Sequence, residues 1–208
     1  METAALEMER PPAATGGQSE TQPVEKIHPQ GGIFQRAAAV YLGRGWCPIP
    51  VEAGGKRPLA KDWPNRRLAP EEAAGVWGAA EPPNIGILCG EPSRLVVLDF
   101  DDPRAFATWW AANPEAAQTR TIARDNAPRG RCHLYFSLAE GQAAPPSRKG
   151  PGWDMLSTGR QVVAPPSVHP SGGRYRVTRD APPLPWRDDY APADVRPAPA
   201  PEIGRAHV

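Results

Sequence analysis

RLVVLDFD, residues 94–101, is an apolar run of strand length that ends in two carboxylates. Side chains alternate along a strand, so Leu98 and Phe100 are expected to point into a core while Asp99 and Asp101 share the other face. Their Cα atoms would stand about 6.5–7 Å apart. Carboxylates so spaced are suited to hold divalent ions together, including a pair of ions about 3.5–4 Å apart. Both side chains are expected to face solvent. The plainer reading is a strand that ends in water with ordinary surface acids, and Asp102-Pro103 directly after it agrees with that.

The elements on either side are equally legible. NIGILCG (84–90) is a second apolar run, separated from the first by a Pro-Ser turn, and a helix is predicted from Pro103 to Ala112. TRTIAR (119–124), RCHLYFSL (131–138), GWDMLST (152–158), RQVVAPPS (160–167) and GRYRVT (173–178) follow, each bounded by Gly, Pro, Asn or Ser as strands are. Upstream, Ile33, Ala37, Val40 and Tyr41 recur at helical spacing, with Gly43 and Gly45 able to end the helix. WCPIPV (46–51) reads as extended, and Pro70–Trp77 as a helix with Pro at its start and acids in its first turn. Helices first and paired strands later indicate an α+β fold. Residues 1–30 carry almost no large apolar residue and read as a disordered leader, residues 31–190 as the folded domain, and residues 191–208 as a Pro/Ala-rich tail, with disorder expected to set in after Leu184. The last seven residues, EIGRAHV (202–208), back-translate to a common sequencing adapter; the expectation is that they, His207 included, are foreign and that the natural frame continues.

Composition narrows the function classes. The net charge of +1 excludes a polybasic, histone-like protein, but the charge is unevenly distributed. Residues 1–118 carry 11 Lys/Arg against 15 Asp/Glu, whereas residues 119–180 carry 10 Lys/Arg against 4 Asp/Glu. The second half is therefore suited to an anionic partner, a solvated basic face being the alternative. Proline is abundant, 28 of 208 residues, more than twice the usual ~5%, and is concentrated at the ends and in turns. Three scattered cysteines, Cys47, Cys89 and Cys132, support neither a disulfide framework nor a zinc ribbon, so a reducing cytoplasm and no zinc are expected. METAALEMER lacks the apolar core of a signal peptide, and no apolar run approaches the ~18 residues of a membrane span.

Further candidates lie along the basic half. In RCHLYF (131–136) Arg131, His133 and Tyr135 fall on one strand face, and an Arg beside a His suits a polyphosphate. Asp154 is an acid within an otherwise apolar strand, a third potential ligand. After Pro165-Pro166, Ser167 and His169 would project from a stiff corner, either toward phosphate or in turn-stabilising hydrogen bonds. Lys56 lies in a Gly-rich loop, GGKRP, that does not match the G-x-x-x-x-G-K-[ST] phosphate loop.

The order of these features carries more than any one of them. GGK-x-P, Trp63, NIGI, LVVLD-x-D, HLYF, G-x-D and VVAPPS-x-H-x-SG-x-x-Y together resemble the bifunctional primase–polymerase family of the archaeo-eukaryotic primase superfamily, over about Phe34 to Val177. The resemblance implies a primase-like core with an RRM-like sheet and a smaller α/β N-terminal part. It implies that Asp99, Asp101 and Asp154 are catalytic metal ligands for two Mg²⁺ or Mn²⁺ ions, with His133 on the nucleotide phosphates. Arg131, Lys56, Ser167 and His169 would surround the incoming triphosphate. Arg148, Lys149, Arg160, Arg174 and Arg176 would track a single-stranded DNA template. The implied activity is template-directed transfer of dNTPs or NTPs in the replication of a plasmid, phage or integrated element, in a prokaryotic or phage-infected cytoplasm. A helicase or helical priming region would follow in the full-length protein. Two positions depart from the family pattern: Arg131-Cys132 stands where small Gly or Ser residues are usual, and Arg160-Gln161 where Gly-Tyr is usual. The alternative is a catalytically weak nucleotide- or origin-binding module of a replication protein.

Overall fold

A computed structural model of the chain describes residues 32–193. The predicted leader 1–30, the tail beyond residue 193 and the adapter-like segment 202–208 lie outside the described residues.

The expected α+β fold is found, with the helices where their sequence signals put them. Helix α1 (Ile33–Gly43) buries Ala38 and Tyr41. It packs on α2 (Pro70–Trp77), whose start is held by Glu72 Oε2 accepting the Ala69 N–H at 2.9 Å. Strand β1 (Pro48–Val51) joins β2 (Asn84–Leu88) and β8 (Gln161–Ala164) in an antiparallel sheet of three strands, order β1-β2-β8. The larger sheet runs β6-β7-β3-β5-β4-β9, built from β3 (Leu95–Phe100), β4 (Arg120–Arg124), β5 (Cys132–Ser137), β6 (Arg148–Gly150), β7 (Trp153–Leu156) and β9 (Tyr175–Arg179). Helix α3 (Pro103–Ala112) follows β3, capped by Asp102, whose side chain accepts the Arg104 N–H at 2.9 Å. Among the described residues no helix is long and apolar enough to cross a membrane.

Strand β3 is central, and its apolar run serves two cores. Leu95 and Val97 join a cluster with Tyr41, Trp46, Ile49, Trp77, Ile85, Ile122 and Tyr135, between the large sheet, the small sheet and helices α1 and α2. Val96, Leu98 and Phe100 join a second cluster with Trp109, Leu134, Phe136 and Trp186 on the opposite face, under α3. A strand covered on both sides reads as continuous rather than alternating hydrophobicity.

Two expectations are corrected. Disorder does not begin after Leu184. Leu184–Pro185 forms a short parallel strand, β10, on β5, Trp186 is buried against Phe136, and Asp188–Tyr190 makes a 3₁₀ turn. The apolar surface of Leu184, Trp186 and Tyr190 outweighs Pro185 between them, which sits where a short strand at the sheet margin tolerates it. β10 continues the line of β4 beside β5: Thr119 Oγ1 donates to the Tyr135 carbonyl and accepts the Leu184 N–H at 2.9 Å. The other correction concerns the paired acids. β3 ends at Phe100, because the Asp101 and Asp102 N–H groups both turn to the Gly152 carbonyl, each at 3.0 Å. That tight approach needs glycine: Gly152 has φ +79°, and a Cβ there would stand 2.4 Å from Asp102 Cβ. Asp101 is exposed as expected, but Asp99 is not solvent-facing; only 24% of its side chain is accessible.

Candidate active site

Antiparallel register sets Asp99 between two polar partners. It lies opposite His133 on β5 and opposite Asp154 on β7, so the three side chains form a row across β7-β3-β5. The row lies on the face of Leu95 and Val97, at the end where the apolar cluster runs out. His133 Nε2 is 3.5 Å from Asp99 Oδ1. Asp101 follows just past the strand end, near enough for its charge to act on Asp99 and His133.

Burial dominates the electrostatics of the row. Burial, with the added repulsion of Asp101 and Asp154, raises the Asp99 carboxyl above the usual carboxylate range, although His133 and Lys56 pull the other way. Burial lowers His133, against the pull of Asp99, and leaves its imidazole neutral at neutral pH. Asp154 Oδ1 and His133 Nδ1 are buried without a hydrogen-bond partner. Burial raises the flanking thiols, Cys132 to about 12 and Cys89 further, so neither is an ionised nucleophile.

Across from the acids stand cations. Lys56 is exposed on the β1–α2 loop, and its charge reaches Asp99, His133 and His169. His169 Nδ1 accepts the Ser171 N–H at 3.0 Å and lies 3.2 Å from Arg124 Nη1. The Tyr175 ring lies between the two histidines, its centroid 5.5 Å from His133 and 6.0 Å from His169. Arg124 and Tyr175 are cross-strand partners on β4 and β9, and reading the sequence assigned neither of them to the site. The period-2 spacing of Arg120, Ile122 and Arg124, combined with the pairing of β4 beside β5, is the signal that finds Arg124.

The structure gathers some predicted residues and disperses others. Asp99, Asp101, Asp154, His133, Lys56 and His169 converge. Ser167 is fully buried, its hydroxyl accepting the Ile85 N–H at 2.8 Å and facing the Ile85 carbonyl at 3.4 Å, so it clasps β2 rather than facing the cleft. Asn84 works beside it: its Nδ2 donates to the Gly55 and Val168 carbonyls and its Oδ1 accepts the Val168 N–H, which ties the Lys56 loop to the His169 corner. Arg131 lies just before β5, exposed, with its charge felt by Asp102 at the head of α3.

The cations expected on a template do not form one stripe. Arg148 and Lys149 lie on the edge strand β6, where the Arg148 guanidinium covers the Trp153 ring and Lys149 Nζ lies 3.4 Å from Asp154 Oδ2. Arg174 and Arg176 lie at the opposite edge, beside Asp125, which accepts the Arg174 N–H and the Arg176 Nε–H. Arg160 is exposed in the turn between β7 and β8.

Among the described residues no three His, Cys, Asp or Glu side chains are drawn together closely enough to hold a metal ion as they stand. The donor set nevertheless fits a hard divalent cation: three carboxylates, one with a buried oxygen that lacks any partner and one whose ionisation is opposed chiefly by burial.

In comparison with known proteins, no curated protein matches the chain. A family model, bifunctional DNA primase/polymerase, N-terminal, matches residues 38–203, which includes every residue of the row, Asp101, Lys56 and His169. The chain belongs to the bifunctional DNA primase/polymerase N-terminal family.

Proposed function

We propose that the domain is a DNA primase/polymerase catalytic core that joins dNTPs or NTPs along a single-stranded DNA template during replication of a mobile element. The observation that carries this reading is the row Asp154–Asp99–His133, with Asp101 beside it and Lys56, Arg124 and His169 facing it. Asp99, Asp101 and Asp154 would hold Mg²⁺ or Mn²⁺, which when bound supply acidification of a 3′-hydroxyl and neutralisation of charge developing on the phosphates. Lys56 and Arg124 meet the triphosphate by charge-assisted hydrogen bonds, and neutral His133 orients it from beside Asp99. The Asn84–Ser167 clasp holds the Lys56 loop and the His169 corner at a set spacing, so the cationic wall is in place before the nucleotide arrives. Lys149, paired with Asp154, offers a charge that swings to the template once the carboxylate is otherwise engaged.

The test is incorporation of labelled nucleotide on a single-stranded template with Mn²⁺, with and without a primer. Incorporation that requires template and ceases in EDTA is the expected result. Primer extension is expected to exceed unprimed synthesis, since a primer end is held in place by its pairing with the template whereas a lone first nucleotide is not. A protein that binds triphosphate yet never extends a primer would instead be a nucleotide- or origin-binding module.

A further inference from the structure

A cavity of about 560 Å³ opens at the far end of the same sheet face, away from the acids. Arg44, Arg120, Trp46, Leu95, Leu138 and Pro183 are among its lining residues. A second hollow of about 320 Å³ shares Arg44 and Arg120. The separation from the acids follows from register. Leu95 lies four residues before Asp99 on β3, and Arg120 four before Arg124 on β4, or about 13 Å along each strand. Val97, Ile122 and Tyr135 fill the space between, so the two places do not communicate through the interior.

The charge in this cavity is unbalanced. Three arginines and one carboxylate, Asp180, line it. Arg94 is engaged by Glu91 at 3.6 Å. Arg120 is only 6% exposed, yet its single ion-pair partner among the described residues is Asp180 at 2.6 Å, whose side chain is 81% exposed, and its Nε–H has no acceptor. A buried guanidinium with an orphaned donor is costly unless something else supplies the acceptor. Arg44 adds a second charge beside it: burial and then the Arg120 charge hold Arg44 below the usual guanidinium range. The Arg44 guanidinium lies 5.4 Å from the Trp46 ring centroid and is otherwise exposed. Leu95, Leu138, Pro182 and Pro183 give the cavity an apolar wall beside these donors.

We infer that this cavity is a second nucleotide-binding site, in which Arg44 and Arg120 hold a phosphate and the apolar wall receives the base or sugar. Two arginines converging on one anion, with an apolar wall beside them, suit a phosphorylated nucleotide better than a bare carboxylate. The volume accommodates one nucleotide. The phosphate belongs either to a free mononucleotide or to one unit of a DNA strand. The inference does not depend on the acid row.

The test is binding in EDTA at low salt, with dAMP followed by calorimetry and a labelled single-stranded oligodeoxynucleotide followed by anisotropy. Arg44→Glu is the main variant, because Arg44 is exposed; Arg44→Gln serves if the reversed charge impairs folding. The expected result is binding by the wild type that Arg44→Glu weakens by about tenfold or more, with Arg44→Lys retaining most of it. A loss in the dAMP arm identifies a free nucleotide, and a loss confined to the oligonucleotide arm identifies a strand phosphate. Failure of both probes to bind, or wild-type binding of both by a folded Arg44→Glu or Arg44→Gln protein, overturns the inference. Primer extension reads the acids while chelated binding reads Arg44, so each reading can fail without the other.

Discussion

The two faces of the large sheet are built from the same strands and serve different ends. On the α3 face the apolar cover is continuous from Val96 through Leu98 to Phe100, closed by Trp109, Phe136 and Trp186. On the other face the cover is apolar only in the middle, at Val97, Ile122 and Tyr135. One end of that face carries Asp99, His133 and Asp154, and the other carries Arg120 with Arg44 beside it. The contrast shows where a sheet gains its chemistry: where the layer covering it stops, and polar groups sit half-desolvated against a rigid floor. The closed face supplies that floor. Substitutions on the two faces are therefore expected to separate activity from stability.

The largest separation is expected at Asp101. Because it is exposed past the strand end, Asp101→Ala should change unfolding free energy by less than about 1 kcal/mol. Nucleotide incorporation should fall by about three to four orders of magnitude, some 4–5.5 kcal/mol of transition-state stabilisation. Near-normal primer extension by this variant would remove the acids from the mechanism.

Trp186→Ala is expected to do the reverse. Trp186 is 3% exposed, stacks edge-on against Phe136 and donates from Nε1 to Asp188. Its loss should cost about 3–4 kcal/mol in denaturant unfolding, while the protein that remains folded keeps its triphosphate affinity. Should unfolding be unaffected, residues 184–193 are not part of the closed face.

His133→Ala tests the division of labour within the open face. Triphosphate affinity should weaken about tenfold to a hundredfold, with single-stranded DNA affinity unchanged, since Arg148, Lys149 and Arg176, proposed here for the template, lie on edge strands away from His133. Equal losses in both titrations would make His133 a structural residue.

The smallest effect is one of sign. The raised pKa of Asp99 means that the native state holds its proton more tightly than the unfolded chain, so its contribution to stability declines as pH rises from the ordinary carboxylate range through the raised value. In EDTA at pH 7, Asp99→Asn should therefore melt slightly above the wild type, with the difference shrinking near pH 4. Adding Mn²⁺ at pH 7 should raise the melting temperature of the wild type and not that of Asp99→Asn. A variant that melts lower than the wild type at pH 7 in EDTA would show that Asp99 is a net stabilising charge.

Local pattern made most of the fold legible. The predicted helices Pro70–Trp77 and Pro103–Ala112 coincide with the observed ones, because proline at the first turn and apolar periodicity are both local signals. The apolar runs at 84–90, 94–101 and 131–138 each became a strand. The three-residue strand β6 was not legible, since Arg148-Lys149-Gly150 carries no apolar alternation and is a strand only because β7 pairs with it.

The sequence by itself determined the α+β class, the acids at the end of β3 and the family, since these depend on residue type and on spacing along one stretch of chain. Only the tertiary structure decided which distant residues meet. Strand register set Asp154 and His133 on either side of Asp99, and the pairing of β4 with β9 brought Arg124 and Tyr175 to the cleft. The same folding turned Ser167 inward to β2 and sent Arg148 and Lys149 to one edge of the sheet and Arg176 to the other. Periodicity specifies the face a side chain occupies, but cross-strand neighbours depend on pairings between segments far apart in sequence. A single strand carries no record of its partners' register.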